Sequence, residues 1–252
     1  MSGEIYMAAA GALAYEKRLE VVANNLANAN TAGFKRDEVS FQAYMLSAEG
    51  APQAVSPPFP DVSDAAAFWI EARGRTDFSA GAHQPTGNRF DLALNGEGFF
   101  SVQSPEGVLF TRRGSFTLDA EGRLITAEGY PVLGDGGEIR LDRRDSLDFT
   151  VGEEGTVSAK GAALGRLRIA AFRPQDLVKA GDGYFKPNAE AVEAPAPAAR
   201  IAQGFLEMSN VEAVRSMIEM IEILRGYESF QRVMRSADEA DSKSIAEVGR
   251  SA

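Results

Sequence analysis

Few residues in this sequence have the types and spacing that chemistry needs. The one histidine, His83, stands in Gly81-Ala82-His83-Gln84-Pro85, and the 252 residues include no cysteine. One imidazole supplies neither a two-histidine metal site nor a helical HExxH pair. A Ser-His-Asp triad would have to use it, and no Gly-x-Ser-x-Gly sequence accompanies it. An exposed or packing histidine is the expected role. Gly96-Glu97-Gly98-Phe99-Phe100-Ser101 begins like a dinucleotide fingerprint but carries serine at the third glycine. It also lies between strand-like runs instead of opening a helix, so it reads as a hairpin turn. The phosphate-cradling GxxxxGK[ST] pattern is absent.

Carboxylates are plentiful: Glu153-Glu154, Asp142 with Asp145, Asp238-Glu239 with Asp241. None has the spacing of a calcium loop, and in an acidic chain they read as solvated surface. Arg112-Arg113 and Arg143-Arg144 are isolated basic pairs, expected at strand edges or turns. No catalytic, cofactor-binding or metal-binding set is therefore expected, and no cofactor.

The formal net charge of -10 and pI near 4.8 repel phosphate, which argues against nucleic acid as a partner. No stretch reaches the roughly 18 apolar residues of a membrane span, so direct membrane insertion is not expected. Met1 to Ala14 is Ala-rich but holds Glu4 and no early Lys or Arg, unlike a cleaved secretory signal. Without cysteine, disulfides and thiolate chemistry are excluded. The composition, 44% hydrophobic and 25% charged, is that of an ordinary globular chain.

What such a chain must position is better seen in its periodicities. Ile5, Ala8, Ala12, Tyr15, Leu19, Val22 and Leu26 step by threes and fours, a heptad seam on a helix. The run stops in Asn24-Asn25-Leu26-Ala27-Asn28-Ala29-Asn30-Thr31-Ala32-Gly33-Phe34, a terminator and turn. Near the other end Ser209 or Asn210 is a candidate cap, with Glu212 in the first turn. Val214, Met217, Ile218, Ile221, Leu224, Tyr227, Phe230, Met234 and Ala237 then repeat at helical spacing. Gly226 is the weak point of that helix, costing about 1 kcal/mol against Ala.

Between the helices Pro52, Pro57, Pro58 and Pro60 forbid regular structure, so 46–84 reads as an extended linker with a short ordered piece at Phe68-Trp69-Ile70. From Phe90 the period becomes two, and glycine turns recur about every 8–12 residues, as in an antiparallel β domain. Glu193 to Ala199 is an Ala/Pro-rich linker. The expected fold is α+β: terminal helices forming a coiled-coil-like helical domain, with an inserted antiparallel all-β domain. The boundaries are 1–45, N-terminal helix and Asn-rich turn; 46–84, linker; 85–190, β domain; 191–204, linker; 205–252, C-terminal helix packing with the first.

Two amphipathic helices must bury their stripes. Periodicity leaves open whether these pack as core or between subunits, and Ala8, Ala9, Ala10, Ala12 and Ala14 favour close packing between subunits. On that reading Ile5, Ala8, Ala12, Tyr15, Leu19, Val22 and Leu26, with Val214, Ile218, Ile221, Leu224 and Tyr227, form the assembly interface. Asn25, Asn28, Asn30 and Gly33 set the turn after the first helix, and both ends of an isolated monomer are expected to be poorly ordered.

Three segments together carry a resemblance: Ile5-Tyr6 through Gly11-Ala12 to Asn24–Arg36; Thr86-Gly87-Asn88-Arg89-Phe90 to Phe99-Phe100 with Phe110–Phe116; and Gln203-Gly204-Phe205-Leu206-Glu207-Met208-Ser209-Asn210-Val211 with Met220-Ile221 and Arg225-Gly226-Tyr227-Glu228. In this order, over nearly the whole chain, they resemble the flagellar rod and hook axial proteins. One departure is Gly226, where many relatives carry Ala. The resemblance implies a non-enzymatic structural subunit of the basal-body rod in the periplasmic space. It implies export by the flagellar type III apparatus without a cleaved signal, and as partners other proximal and distal rod subunits and further copies of itself. By resemblance, the length suits a rod subunit with a β domain, proximal or distal, rather than a short rod subunit or a hook subunit, and Ile5-Tyr6 with Gly129-Tyr130-Pro131-Val132-Leu133-Gly134 favours the proximal one. An alternative of another class is a periplasmic peptidoglycan-binding β-domain protein.

Overall fold

The computed structural model describes residues 3–45, 68–196 and 198–248. The chain divides into two units: Met1–Leu26, Asp37–Arg75 and Glu212–Ala252 form one, and Ala27–Arg36 with Thr76–Val211 the other.

Among the described residues the first unit holds two helices, α1 (Gly3–Ala27) and α2 (Ala213–Val248). Alanine, the strongest helix former, dominates the first half of α1, and the helix ends at the asparagine-rich stretch. The α2 helix starts at Ala213, with Glu212 in the capping position two to three residues beyond the expected caps. The Glu212 carbonyl accepts the first helical hydrogen bond, from Ser216 N at 2.9 Å. Ser209 Oγ accepts from Val211 N at 3.2 Å, and Asn210 is engaged elsewhere, so neither caps the helix as expected. The unit also contains a two-stranded sheet of Asp37–Met45 with Phe68–Thr76. Glu38 and Arg75 pair across it at 3.0 Å.

The span 46–84 is thus more ordered than an extended linker at its C-terminal end. Phe68–Thr76 is a strand, and His83–Pro85 pairs antiparallel with Phe205–Glu207. The proline-rich residues 52–60 lie outside the described residues.

The second unit is a set of antiparallel sheets. The largest has six strands in the order Leu177–Gly181, Tyr184–Pro187, Gly107–Thr111, Phe99–Ser104, Ile169–Ala171 and Ala194–Pro195. A three-stranded sheet joins Thr150–Val151, Thr156–Ala159 and Ala162–Arg166. Leu92–Asn95 pairs with Arg200–Gln203, placing Leu94 opposite Ile201. The 191–204 region therefore contributes two strands where a linker was expected.

The turn at Asn95–Gly98 is real but makes no hairpin. Gly96 (φ +95°) and Gly98 (φ +140°) redirect the chain through backbone angles that side chains resist, and Phe99–Ser104 then pairs with Gly107–Thr111 and Ile169–Ala171. Leu92, Ala93 and Leu94 are all buried, so this strand lacks the half-exposed alternation read from the sequence. The main core gathers Leu92, Leu94, Phe100, Val102, Leu124, Val132, Phe149, Val157 and others. A second cluster of Phe99, Phe110, Ala170 and Phe185 packs on the other side of the strand alternation.

Candidate functional site

The three sequence segments singled out above meet in the β unit around one buried carboxylate. Glu207, on strand Phe205–Glu207, is 1% exposed. Its Oε1 accepts from Lys35 Nζ at 2.6 Å and from Gly81 N at 3.0 Å, and its Oε2 accepts from Arg112 Nη1 at 3.2 Å. Lys35 comes from the first segment, Arg112 from the second and Glu207 from the third. Lys35 Nζ also donates to Ser79 O at 2.6 Å, and Arg112 Nη2 to Gly96 O at 2.7 Å. The Arg112 guanidinium lies 5.3 Å from the Phe99 ring centroid. Burial pushes the Lys35 ammonium below the ordinary lysine range, against the opposing pull of Glu207.

Around this cluster the backbone is tied down. Gly33 N donates to Glu207 O at 2.7 Å, and Lys179 Nζ donates to Lys35 O at 2.7 Å. Asn210 Oδ1 accepts from Arg36 N at 2.8 Å, while its Nδ2 donates to Asp77 O at 2.9 Å. Arg36 Nε meets Asp77 Oδ2 at 2.9 Å. Gly33 (φ +69°) permits this approach: a Cβ there would lie 2.5 Å from Arg113 N. Asn28 accepts from Thr31 through both its carbonyl (3.1 Å) and its side chain (3.2 Å), and Asn30 is exposed.

In the helical unit, Asn25 clips the start of strand Asp37–Met45. Its Nδ2 donates to Asp37 O at 2.7 Å and its Oδ1 accepts from Asp37 N at 2.8 Å. The two helices run antiparallel and pack on each other, since Arg18 meets Glu219 at 2.6 Å and Tyr15 meets Phe230 with ring centroids 5.5 Å apart. Ala8, Ala12 and Val22 are buried, and Tyr15, Leu19 and Leu26 are half-buried. Ile5 falls within α1, but its side-chain surroundings lie outside the described residues.

The α2 helix carries two apolar stripes. One, half-buried to buried, runs through Met220, Ile223, Tyr227, Phe230, Met234 and Ala237. The other is exposed: Val214 at 72%, Ile218 at 55% and Ile221 at 53%, with Met217 and Leu224 beside them. Of the expected interface residues on α2, Tyr227 lies on the first stripe, while Val214, Ile218, Ile221 and Leu224 lie on the second. Ile223, 1% exposed, was missed because a single seam was drawn through both stripes.

Among the described residues no group of three or more His, Cys, Asp and Glu side chains is placed to hold a metal. No described helix is long and apolar enough to cross a membrane. His83 sits on a short paired strand, half-buried. Arg112 and Arg113 lie in the loop that follows strand Gly107–Thr111, within the expected strand-edge or turn placement, but neither is a solvated charge. Arg112 is buried against Glu207, and Arg113 bonds Glu128 at 2.6 Å. The polar arrangement joins chain segments, and the second α2 stripe is an exposed apolar face.

Comparison with known proteins places these features in a class of structural proteins. A model of flagella basal body rod proteins matches residues 5–35. A model of the flagellar hook protein FlgE/F/G D1 domain matches residues 93–159, and one of the flagellar basal body rod FlgEFG protein C-terminal region matches residues 202–247. The chain is 36% identical to a flagellar basal-body rod protein FlgF of Caulobacter vibrioides, over 99% of both chains. It is 32% identical to a FlgG of Bacillus subtilis over 95% of this chain and 96% of the relative. With the FlgF of Salmonella typhimurium it shares 30% identity over 96% and 97%. The chain belongs to the flagellar basal-body rod protein family.

Proposed function

We propose that this protein is a structural subunit of the bacterial flagellar basal-body rod, and that it adds to the proximal part of the axial drive shaft through its terminal helices. The observation that carries the reading is the second apolar stripe of α2. Five large apolar side chains, Val214, Met217, Ile218, Ile221 and Leu224, stay at least 41% exposed in the single chain while the other stripe packs against α1. A contiguous apolar face of this kind marks a protein contact. Contacts between unlike faces that do not close on themselves generate a helical tube. The full-length similarity to FlgF and FlgG rod proteins supports the kind of assembly.

On this reading the helices form a coiled-coil-like module and the β unit is an insertion between them in sequence. The work of the protein is mechanical, with no catalytic step. Its partners are other rod subunits and further copies of itself, and it reaches the periplasmic rod through the flagellar type III apparatus without loss of a signal segment. Similarity to FlgG proteins supports a distal rod subunit as the second reading.

The test is Ile221→Asp. Its site is half-exposed in the free chain, so folding stability should move by no more than about 0.5 kcal/mol. In the assembled rod it buries an unpaired charge. Cells carrying it should build no complete rod and should not swim, although the purified variant melts like the native protein. Normal motility would count against the stripe as an assembly face.

A further inference from the structure

The chain passes between its two units four times, at Leu26–Ala27, Arg36–Asp37, Arg75–Thr76 and Val211–Glu212. Three of those passages end, on the β-unit side, in one hydrogen-bonded site, and a single side-chain amide touches all three. Asn210 Oδ1 accepts from Arg36 N at 2.8 Å. Its Nδ2 donates to Asp77 O at 2.9 Å, with Ser79 Oγ at 3.1 Å and Ser79 O at 3.3 Å as further acceptors. Its backbone N donates to Phe34 O at 3.4 Å. Arg36 and Asp77 are joined twice more without it, by Asp77 N to Arg36 O and by Arg36 Nε to Asp77 Oδ2, each at 2.9 Å. Asp77 Oδ1 in turn accepts from Ser79 N at 2.9 Å.

An asparagine that serves only its own turn bonds backbone groups a few residues away. The partners of the Asn210 side chain lie 131 to 174 residues away, so its place is set by the meeting of the segments. Because the bonds share one network, no segment can swing away from the β unit without breaking bonds to the other two. We propose that Asn210, with the Arg36–Asp77 pair, is a positioning residue of a mechanical joint. It makes three of the four passages leave the β unit as one stiff attachment, so that torque carried along the chain reaches the β unit without play. The inference rests on the reading of the protein as a rod subunit, since torque is what a drive shaft carries.

The test pairs Asn210→Ala with a control of equal chemistry. Gln203 is another half-buried amide of the β unit. It bonds Arg89 O at 2.8 Å, Phe149 O at 3.2 Å and Val151 N at 3.1 Å, none of which adjoins a passage. Gln203→Ala therefore loses a comparable set of bonds and should lower the melting temperature of the purified full-length protein by a similar amount. Mass spectrometry of isolated basal bodies should find both variants at the native level. Swimming speed is then followed as a polymer raises the viscosity of the medium. At low viscosity all three strains should match. At high viscosity Asn210→Ala should fall several-fold below the native chain, while Gln203→Ala follows it. Asn210→Ala keeping pace at every viscosity would overturn the proposal, and so would equal loss in both variants. Absence of the Asn210→Ala protein from basal bodies would also overturn it, by making the residue one of assembly. Absence of the native chain from basal bodies would instead strike the rod reading, and the joint with it.

Discussion

Replacing Glu207 by glutamine removes the single negative charge between two buried cations while keeping the side chain's shape. Lys35 and Glu207 have side chains 0% exposed, and Arg112 is 6% exposed, so water cannot take over the lost role. The carboxylate accepts three hydrogen bonds, from Lys35, Gly81 and Arg112. An amide must turn an NH2 donor toward one of them. Removing one partner of a buried ion pair costs about 3–5 kcal/mol. At roughly 2–4 °C per kcal/mol for a chain of this size, Glu207→Gln should lower Tm by roughly 6–20 °C, read by near-ultraviolet circular dichroism or calorimetry at neutral pH. The control is Glu193→Gln, whose bidentate partner Arg168 is 40% exposed. An exposed pair is worth about 1 kcal/mol at most, so this variant should melt within about 4 °C of the native chain. Adding Lys35→Met to Glu207→Gln should recover part of the loss, because an apolar side chain leaves no charge to solvate. If Glu207→Gln melts no lower than Glu193→Gln, the buried cluster is not what joins the three segments.

Two further outcomes follow from the same packing. Tyr184 donates to Glu128, and burial together with that bond pushes its phenol above the ordinary value of 10.0. The raised folded pKa means the unfolded chain loses this proton first. Its contribution to stability is therefore full below pH 10 and lost as pH rises beyond it, and Tyr184→Phe should flatten the decline in Tm between about pH 10 and 11. Gly33→Ala should destabilise by about 2–4 kcal/mol, measured by urea denaturation, because a left-handed φ penalises a side chain and Arg113 N stands 2.5 Å from the new Cβ.

Much of the layout was legible in the sequence because its signals are periodic or punctuating. The three–four spacing located both helices, the asparagine-rich run located the end of α1, and paired glycines located the break between Leu92–Asn95 and Phe99–Ser104. What escaped was non-local. Nothing near Asn95 says that its strand pairs with Arg200–Gln203, more than a hundred residues on, so the turn read as a hairpin. Ala194–Pro195 looked like linker because an edge strand tolerates proline.

The ion cluster was hidden for a related reason. Lys35, Arg112 and Glu207 are each ordinary surface residue types, and only their meeting in space makes them a buried set. Gly226 looked like a defect of α2 when read along one helix. In the fold it lies opposite the Tyr15 ring. The second stripe of α2 was in view, but merged with the first, because a 3.6-residue period cannot separate two faces roughly a third of a turn apart.

The most direct measurement is mass spectrometry of intact hook–basal bodies from the source organism, followed by labelling of this chain for electron microscopy. A structural rod subunit must be present in those particles, with label on the rod near the inner-membrane end for a proximal position. Well-preserved basal bodies that lack the chain would contradict a structural place for it in the rod.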